Sequence, residues 1–246
     1  MNTHVDIGFV VAMKNEADIL SSALGLSQIQ HESGDFFVYS NSQESIVMLT
    51  PGQNIQFQCY GLPVSRVGKI SSGVITTILI ERFSPKCIIN TGTAGGIASK
   101  DMQVGDIVIA DFVTNHDIQI PLPGYMQYGS RAMPILHWKR IDGISASHKI
   151  GTVSSGESFI TTADHWRAIR NSGAIAKEME ATGVVHAMEI LNSTIPVYII
   201  KSITDVNDEN ISHQQSSDEF IKNFETAMST LSTCMKEIVE KKNELF

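Results

Sequence analysis

Three acidic stretches lie far apart in the chain, each beside an apolar run. Glu16 stands in M-K-N-E-A-D (13–18), Glu178 and Glu180 in A-K-E-M-E-A-T-G-V-V (176–185), and Asp205 in S-I-T-D-V-N-D (202–208). The neighbours of the glutamate pair are mostly apolar, from Ala174-Ile175-Ala176 upstream to Val184-Val185 and Ala187-Met188 downstream. A buried carboxylate is costly unless it is paired, hydrogen-bonded or used. Placed at strand ends, such acids suit proton transfer or a grip on hydroxyl groups. Each also has a plainer reading. Glu16 and Asp18 favour the dipole of a helix N-terminus, Glu180 fits the mouth of a helix beginning at Ala181, and Asp205 fits a helix cap.

Other polar clusters follow apolar runs. N-T-G-T-A-G-G (90–96) reads as a glycine-rich turn that lets backbone N–H groups approach a ligand, or as a tight turn and nothing more. It is not Gly-x-Gly-x-x-Gly, so no dinucleotide is indicated. The stretch from Gly61 to Ile70 has six residues between Gly61 and Gly68 and Ile after Lys69, which rules out a P-loop. In S-G-E-S-F-I (155–160), Phe159 suits either stacking on a base or core packing. His116-Asp117 lacks the companions of a metal site and reads as loop polarity. No Gly-x-Ser-x-Gly occurs, so a serine hydrolase has no nucleophile elbow.

The elements that must position these residues follow from hydrophobic pattern. Apolar runs at 7–13, 45–49, 87–90, 106–110, 174–179 and 197–203 read as strands. Helices are expected at 73–83, 163–170, 181–191 and from about Asp218 onward, where Phe220, Phe224, Met228, Leu231 and Met235 keep a helical rhythm. Residues 121–150, with Pro121, Pro123, Gly124, Gly129, Pro134, Tyr125, Tyr128 and Trp138, read as a long loop. Alternating apolar strands and helices imply α/β architecture: one domain over 1–246, with a mixed, mostly parallel central sheet flanked by helices on both faces. Ligands of such sheets sit beyond the carboxyl ends of the strands.

Composition narrows the function. With 246 residues, 42% apolar and 18% charged, the chain has material for a sizeable core. A net charge of −8 argues against nucleic acid and anionic membranes as partners. Three scattered cysteines, Cys59, Cys87 and Cys234, fit a reducing cytoplasmic setting, and the first residues lack the pattern of a signal peptide.

Taken in order, these stretches resemble the 5′-methylthioadenosine/S-adenosylhomocysteine nucleosidases of the purine nucleoside phosphorylase superfamily. The matching segments are I-G-F-V-V-A-M-K-N-E (7–16), V-G-K-I (67–70), I-I-N-T-G-T-A-G-G (88–96), V-G-D-I-V-I-A-D (104–111), S-G-E-S-F-I (155–160), A-I-A-K-E-M-E-A-T (174–182), S-I-T-D-V-N-D (202–208) and S-D-E-F (217–220). The resemblance implies hydrolysis of the N-glycosidic bond of 5′-substituted adenine nucleosides. It implies Glu16 as the base that activates water, Glu180 on the ribose hydroxyls, Met179 beneath the sugar and Asp205 as the proton donor to the purine. Phe159 and Ile160 match positions that flank and hydrogen-bond the base, and Thr93 falls where the family usually has Ser. Neither metal nor organic cofactor is implied. A homodimer is, with the partner's 112–128 loop closing the pocket. A phosphorylase would need cations for its phosphate where this chain has Met13-Lys14-Asn15-Glu16. Two departures bear on the 5′-substituent: Ser217 replaces the usual Phe, and the segment between His116 and Ser155 is shorter than the resemblance implies. A nucleoside phosphorylase, a futalosine-type hydrolase and a silent nucleoside-binding protein are the alternatives.

Overall fold

The computed structural model describes residues 4–29, 35–43, 45–135, 139 and 141–246. Residues 1–3 and Trp138, which entered the readings above, lie outside them. Among the described residues, ten strands form one sheet: β1 (Ile7–Val11), β2 (Ser27–Ile29), β3 (Phe36–Ser40), β4 (Ile46–Pro51), β7 (Cys87–Ile97), β8 (Ile107–Asn115), β9 (Met133–Pro134), β10 (His148–Ser155), β11 (Ala176–Glu178) and β12 (Val197–Asn207). Strands β5 (Gln53–Cys59) and β6 (Leu62–Ser65) make a separate hairpin. On it Ile55, Phe57, Tyr60 and Leu62 are exposed.

The sheet is mixed and mostly parallel. β1 runs parallel to β4 and β7, β7 to β12, and β8 to β10, which is in turn parallel to β11. β12 meets β8 antiparallel, and β11 turns back antiparallel onto β7. Thus β7, β12, β8, β10 and β11 close on themselves in a barrel-like curl. Central strands such as β1 and β4 are buried along their whole length because both faces are covered. On β1, Val10 points into a layer with Ile75, Leu79, Val184 and Met188, from α2 (Lys69–Phe83) and α5 (Ala181–Ile190). Ile7, Phe9 and Val11 point the other way, onto Ala17 and Leu20 of α1 (Lys14–Leu24) and Met228, Leu231 and Met235 of α6 (His213–Glu240). The short helices α3 (Tyr125–Ser130) and α4 (Ala163–Ser172) complete the chain.

Several boundaries differ from the pattern-based reading. The glycine-rich stretch 92–96 is not a turn: β7 continues to Ile97 because β12 pairs with it from Val197 to Asn207. For the same reason Asp205 lies inside a strand, at the register shift between Ile203 and Asp205, rather than after it. α6 begins at His213, capped by Ser212, whose side chain accepts from the Gln215 N–H. The long loop holds α3 and β9, and β10 starts at His148.

Candidate active site

The strand ends converge on a cavity of about 350 Å³, the size of a small-ligand pocket. Glu16, Thr93, Phe159, Met179, Glu180 and Asp205 all border it. Ile160 does not; its side chain is 52% exposed just outside. Ser217 and Phe220 of α6 line the cavity as well.

Glu16 is the third residue of α1, so the helix start and the cavity claim the same side chain. One oxygen, Oε2, accepts the Met13 N–H at 3.2 Å, an end-of-helix donor. The other, Oε1, accepts the Thr93 N–H and the Thr93 hydroxyl, both at 2.8 Å. Gly92 makes that approach feasible. A Cβ there would lie 3.0 Å from both carboxylate oxygens, and its φ of +150° lies outside the range that side-chain-bearing residues prefer. Burial raises the Glu16 pKa, against the opposing pull of Lys201 and the Thr93 donors. A carboxylate held above its ordinary range is a better base near neutrality.

Glu180 stands at the N-cap position of α5, in the turn that follows β11, with its side chain turned away from the helix N–H groups. Its Oε1 accepts the Gly68 N–H at 3.2 Å, and its Oε2 lies 3.5 Å from Lys201 Nζ. Gly68, at φ +105°, immediately precedes α2; a Cβ there would meet Glu157 Oε2 at 2.2 Å. Burial pushes Glu180 up to about 7, and the Glu178 and Glu16 carboxylates add to the rise.

Glu178 answers why two acids stand side by side. Its carboxylate accepts the N–H of Glu180 at 2.9 Å, that of Ala181 at 2.9 Å and the Ser155 hydroxyl, and pairs with Lys201 Nζ at 3.0 Å. Burial opposes its charge, but Lys201 and these donors hold its pKa below the usual carboxylate range. Glu178 therefore stays ionised and fixes the turn that presents Met179 and Glu180.

Lys201, on β12, was not singled out from the sequence. Only 1% of it is exposed, and Glu178, Glu180 and Glu16 outweigh the burial penalty and hold its ammonium charged. Burial raises Glu16 and Glu180 despite this cation, and at Glu180 the neighbouring carboxylates add to the rise. Lys201→Met is expected to destabilise the fold by about 3–5 kcal/mol, since removing one partner strands buried charge. Urea denaturation checks it; a loss below about 1 kcal/mol contradicts the pairing.

Asp205 is oriented by three donors. The Thr204 hydroxyl reaches Oδ1 at 2.7 Å, while the Ser216 hydroxyl, at 2.8 Å, and the Asn207 amide reach Oδ2. Asn207 and Ser216 were likewise missed, although Asn207 lies within the matched segment 202–208 and Ser216 directly precedes S-D-E-F. His116 is buried, not loop polarity: it borders the cavity, contacts Ser154 Oγ at 3.0 Å, and burial drives its pKa down to about 4. Its neighbour Asp117 pairs with Lys69 at 2.5 Å. Among the described residues, no group of three or more His, Cys, Asp and Glu could hold a metal ion.

A curled α/β sheet with acids from α1, the β11–α5 turn and β12 around one hollow defines a nucleoside-processing architecture, and the chain belongs to the phosphorylase superfamily, whose model matches residues 6–240. Within that superfamily it is similar to named nucleosidases over nearly its whole length. It is 29% identical to the 5′-methylthioadenosine/S-adenosylhomocysteine nucleosidase of Oceanobacillus iheyensis, over 96% of this chain and 99% of the relative. It is 27% identical to the enzyme of the same name from Staphylococcus epidermidis, over 81% and 86%. The apo structure of Arabidopsis thaliana 5′-methylthioadenosine nucleosidase superposes with a TM-score of 0.84 at 25% identity, covering 98% of this chain and 97% of that one.

Proposed function

We propose that the protein hydrolyses the N-glycosidic bond of 5′-substituted adenine nucleosides, releasing adenine and the free sugar. The observation that carries this reading is the meeting of Glu16, Glu180 and Asp205 around one nucleoside-sized hollow. The names of the similar nucleosidases support the same substrate class.

The chemistry follows from charge. As the bond to the purine lengthens, positive charge builds on the ribose carbon and electrons pass to the base, much as in glycoside hydrolysis. Asp205 gives a proton to a purine ring nitrogen. Glu16 takes one from the water that attacks the ribose carbon. Glu180, once ionised, grips the ribose hydroxyls and stabilises the nearby positive charge. Met179, beside it, packs beneath the sugar, and Phe159 flanks the base. Water is favoured over phosphate because the attacking side is furnished by a buried carboxylate. Lys14 turns to Asp18 at 2.6 Å, and Lys201 is occupied by Glu178 and Glu180.

We extend the reading to a cytoplasmic homodimer needing no metal or organic cofactor, in a single domain. Exposed Ile70 and Val74 of α2 and Ile190 of α5, 77%, 55% and 84% exposed, support an interface between copies. So do exposed Tyr125 and Tyr128 of α3. Among the described residues, no helix is long and apolar enough to cross a membrane.

The test is a panel of 5′-substituted adenosines, futalosine-type nucleosides included, with and without phosphate, read as free adenine and sugar. Equal adenine release in both arms is expected; release only with phosphate contradicts the reading. The pH profile is a second check. Glu180 must be ionised to act, and burial pushes its pKa up to about 7, so kcat/KM is expected to fall as pH drops through that value. A profile flat down to pH values well below it contradicts the role of Glu180.

A further inference from the structure

Lys177 is the one cavity-lining cation, among the described residues, that the chemistry above leaves unused. It lies on β11, opposite Gly95 of β7, and is 9% exposed. Its Nζ sits 5.0 Å from the centre of the Phe159 ring and donates to the Phe159 carbonyl at 3.3 Å. Asp205 is adjacent: a Cβ on Gly95 would lie 3.2 Å from Asp205 Oδ2 and 3.6 Å from Lys177 Cε. Lys177 and Asp205 thus flank the same point of β7, with the ammonium over the aromatic that flanks the base.

A buried ammonium with one long hydrogen bond to a neutral carbonyl is poorly satisfied; among the described residues that carbonyl is its one hydrogen-bond acceptor. Burial lowers the Lys177 pKa, and Asp205 opposes the fall. An incoming purine brings ring nitrogens with lone pairs to this wall of the cavity. During cleavage the glycosidic electron pair moves onto that ring.

We propose that Lys177 is a second leaving-group residue, whose ammonium donates a hydrogen bond to the departing purine beside Asp205. The proposal rests on the hydrolase reading. Asp205 supplies the proton; Lys177 keeps its own and meets negative charge at another acceptor. Such a charge-assisted bond strengthens as the base gains electrons, so it acts more on the transition state than on the substrate.

The test uses the full-length protein with Lys177→Met and Lys177→Arg. Two quantities are read: kcat on 5′-methylthioadenosine, and the affinity for free adenine by calorimetry. Lys177→Met is expected to lower kcat by about 10²-fold and to weaken adenine binding by about tenfold. Lys177→Arg is expected to recover part of both, which a packing role alone would not produce. Loss of only one quantity, or no recovery in Lys177→Arg, overturns the proposal. If the native protein releases no adenine at all, the hydrolase reading fails separately. The adenine affinities of native and Lys177→Met protein then decide Lys177 alone, equal values overturning it.

Discussion

Asp205→Asn is expected to bind nucleoside and release almost no adenine. The substitution removes the proton while keeping the shape. Thr204 and Ser216 can rotate their hydroxyls, and Asn207 can turn its amide, to suit the new side chain. The fold should therefore survive. Positioned acids contribute about 10²–10⁴-fold, and kcat is expected to fall within that range. Ligand binding, followed by calorimetry with a slowly cleaved analogue, is expected to change little. Turnover near the native rate would remove Asp205 from the reaction.

Glu16→Gln gives the second large effect. The glutamine carbonyl keeps both Thr93 hydrogen bonds, while its NH₂ faces the Met13 N–H and forfeits one hydrogen bond, at a cost of about 1 kcal/mol. The amide cannot accept a proton from water, so kcat is expected to drop by about 10²–10⁴-fold. A stability signature accompanies the loss. The folded protein holds the Glu16 proton to higher pH than the unfolded chain does. Its stabilising contribution is thus full below the ordinary carboxylate pKa and fades as pH rises through the raised one. Glutamine has no such dependence. Relative to the native protein, the variant is expected to gain stability as pH rises, measured by urea melts across that window. The opposite trend would mean that Glu16 is ionised well below the range assigned here.

Much of the frame was legible in the chain because the parallel strands are apolar on both faces. Runs such as Ile7–Val11 and Val197–Ile203 announce themselves, and the rhythm from Phe220 to Met235 marks the last helix. What escaped has physical reasons. The glycines at 92, 95 and 96 read as a turn because local pattern carries no trace of the partner strand that keeps them extended. The β5–β6 hairpin was missed because Gln53–Ser65 mixes polar and exposed apolar residues without a buried face. Glu16, Glu180 and Asp205 could be picked out as acids beside apolar runs. Their meeting depends on β1, β11 and β12 all pairing with β7, which spacing alone does not give. Lys201 was hidden within V-Y-I-I-K-S-I, where a lysine looks like an edge residue until its two glutamate partners are seen. Lys177 was quoted within a motif and passed over for the same reason.

The most direct measurement of water as the attacking group is isotopic. The native protein is incubated with 5′-methylthioadenosine in ¹⁸O-labelled water containing phosphate, and the sugar product is weighed by mass spectrometry. One labelled oxygen at the ribose carbon that held the base, in step with adenine release, is the expected result. A sugar 1-phosphate, or a sugar that carries no label while adenine is freed, would contradict a hydrolytic site built from Glu16, Glu180 and Asp205.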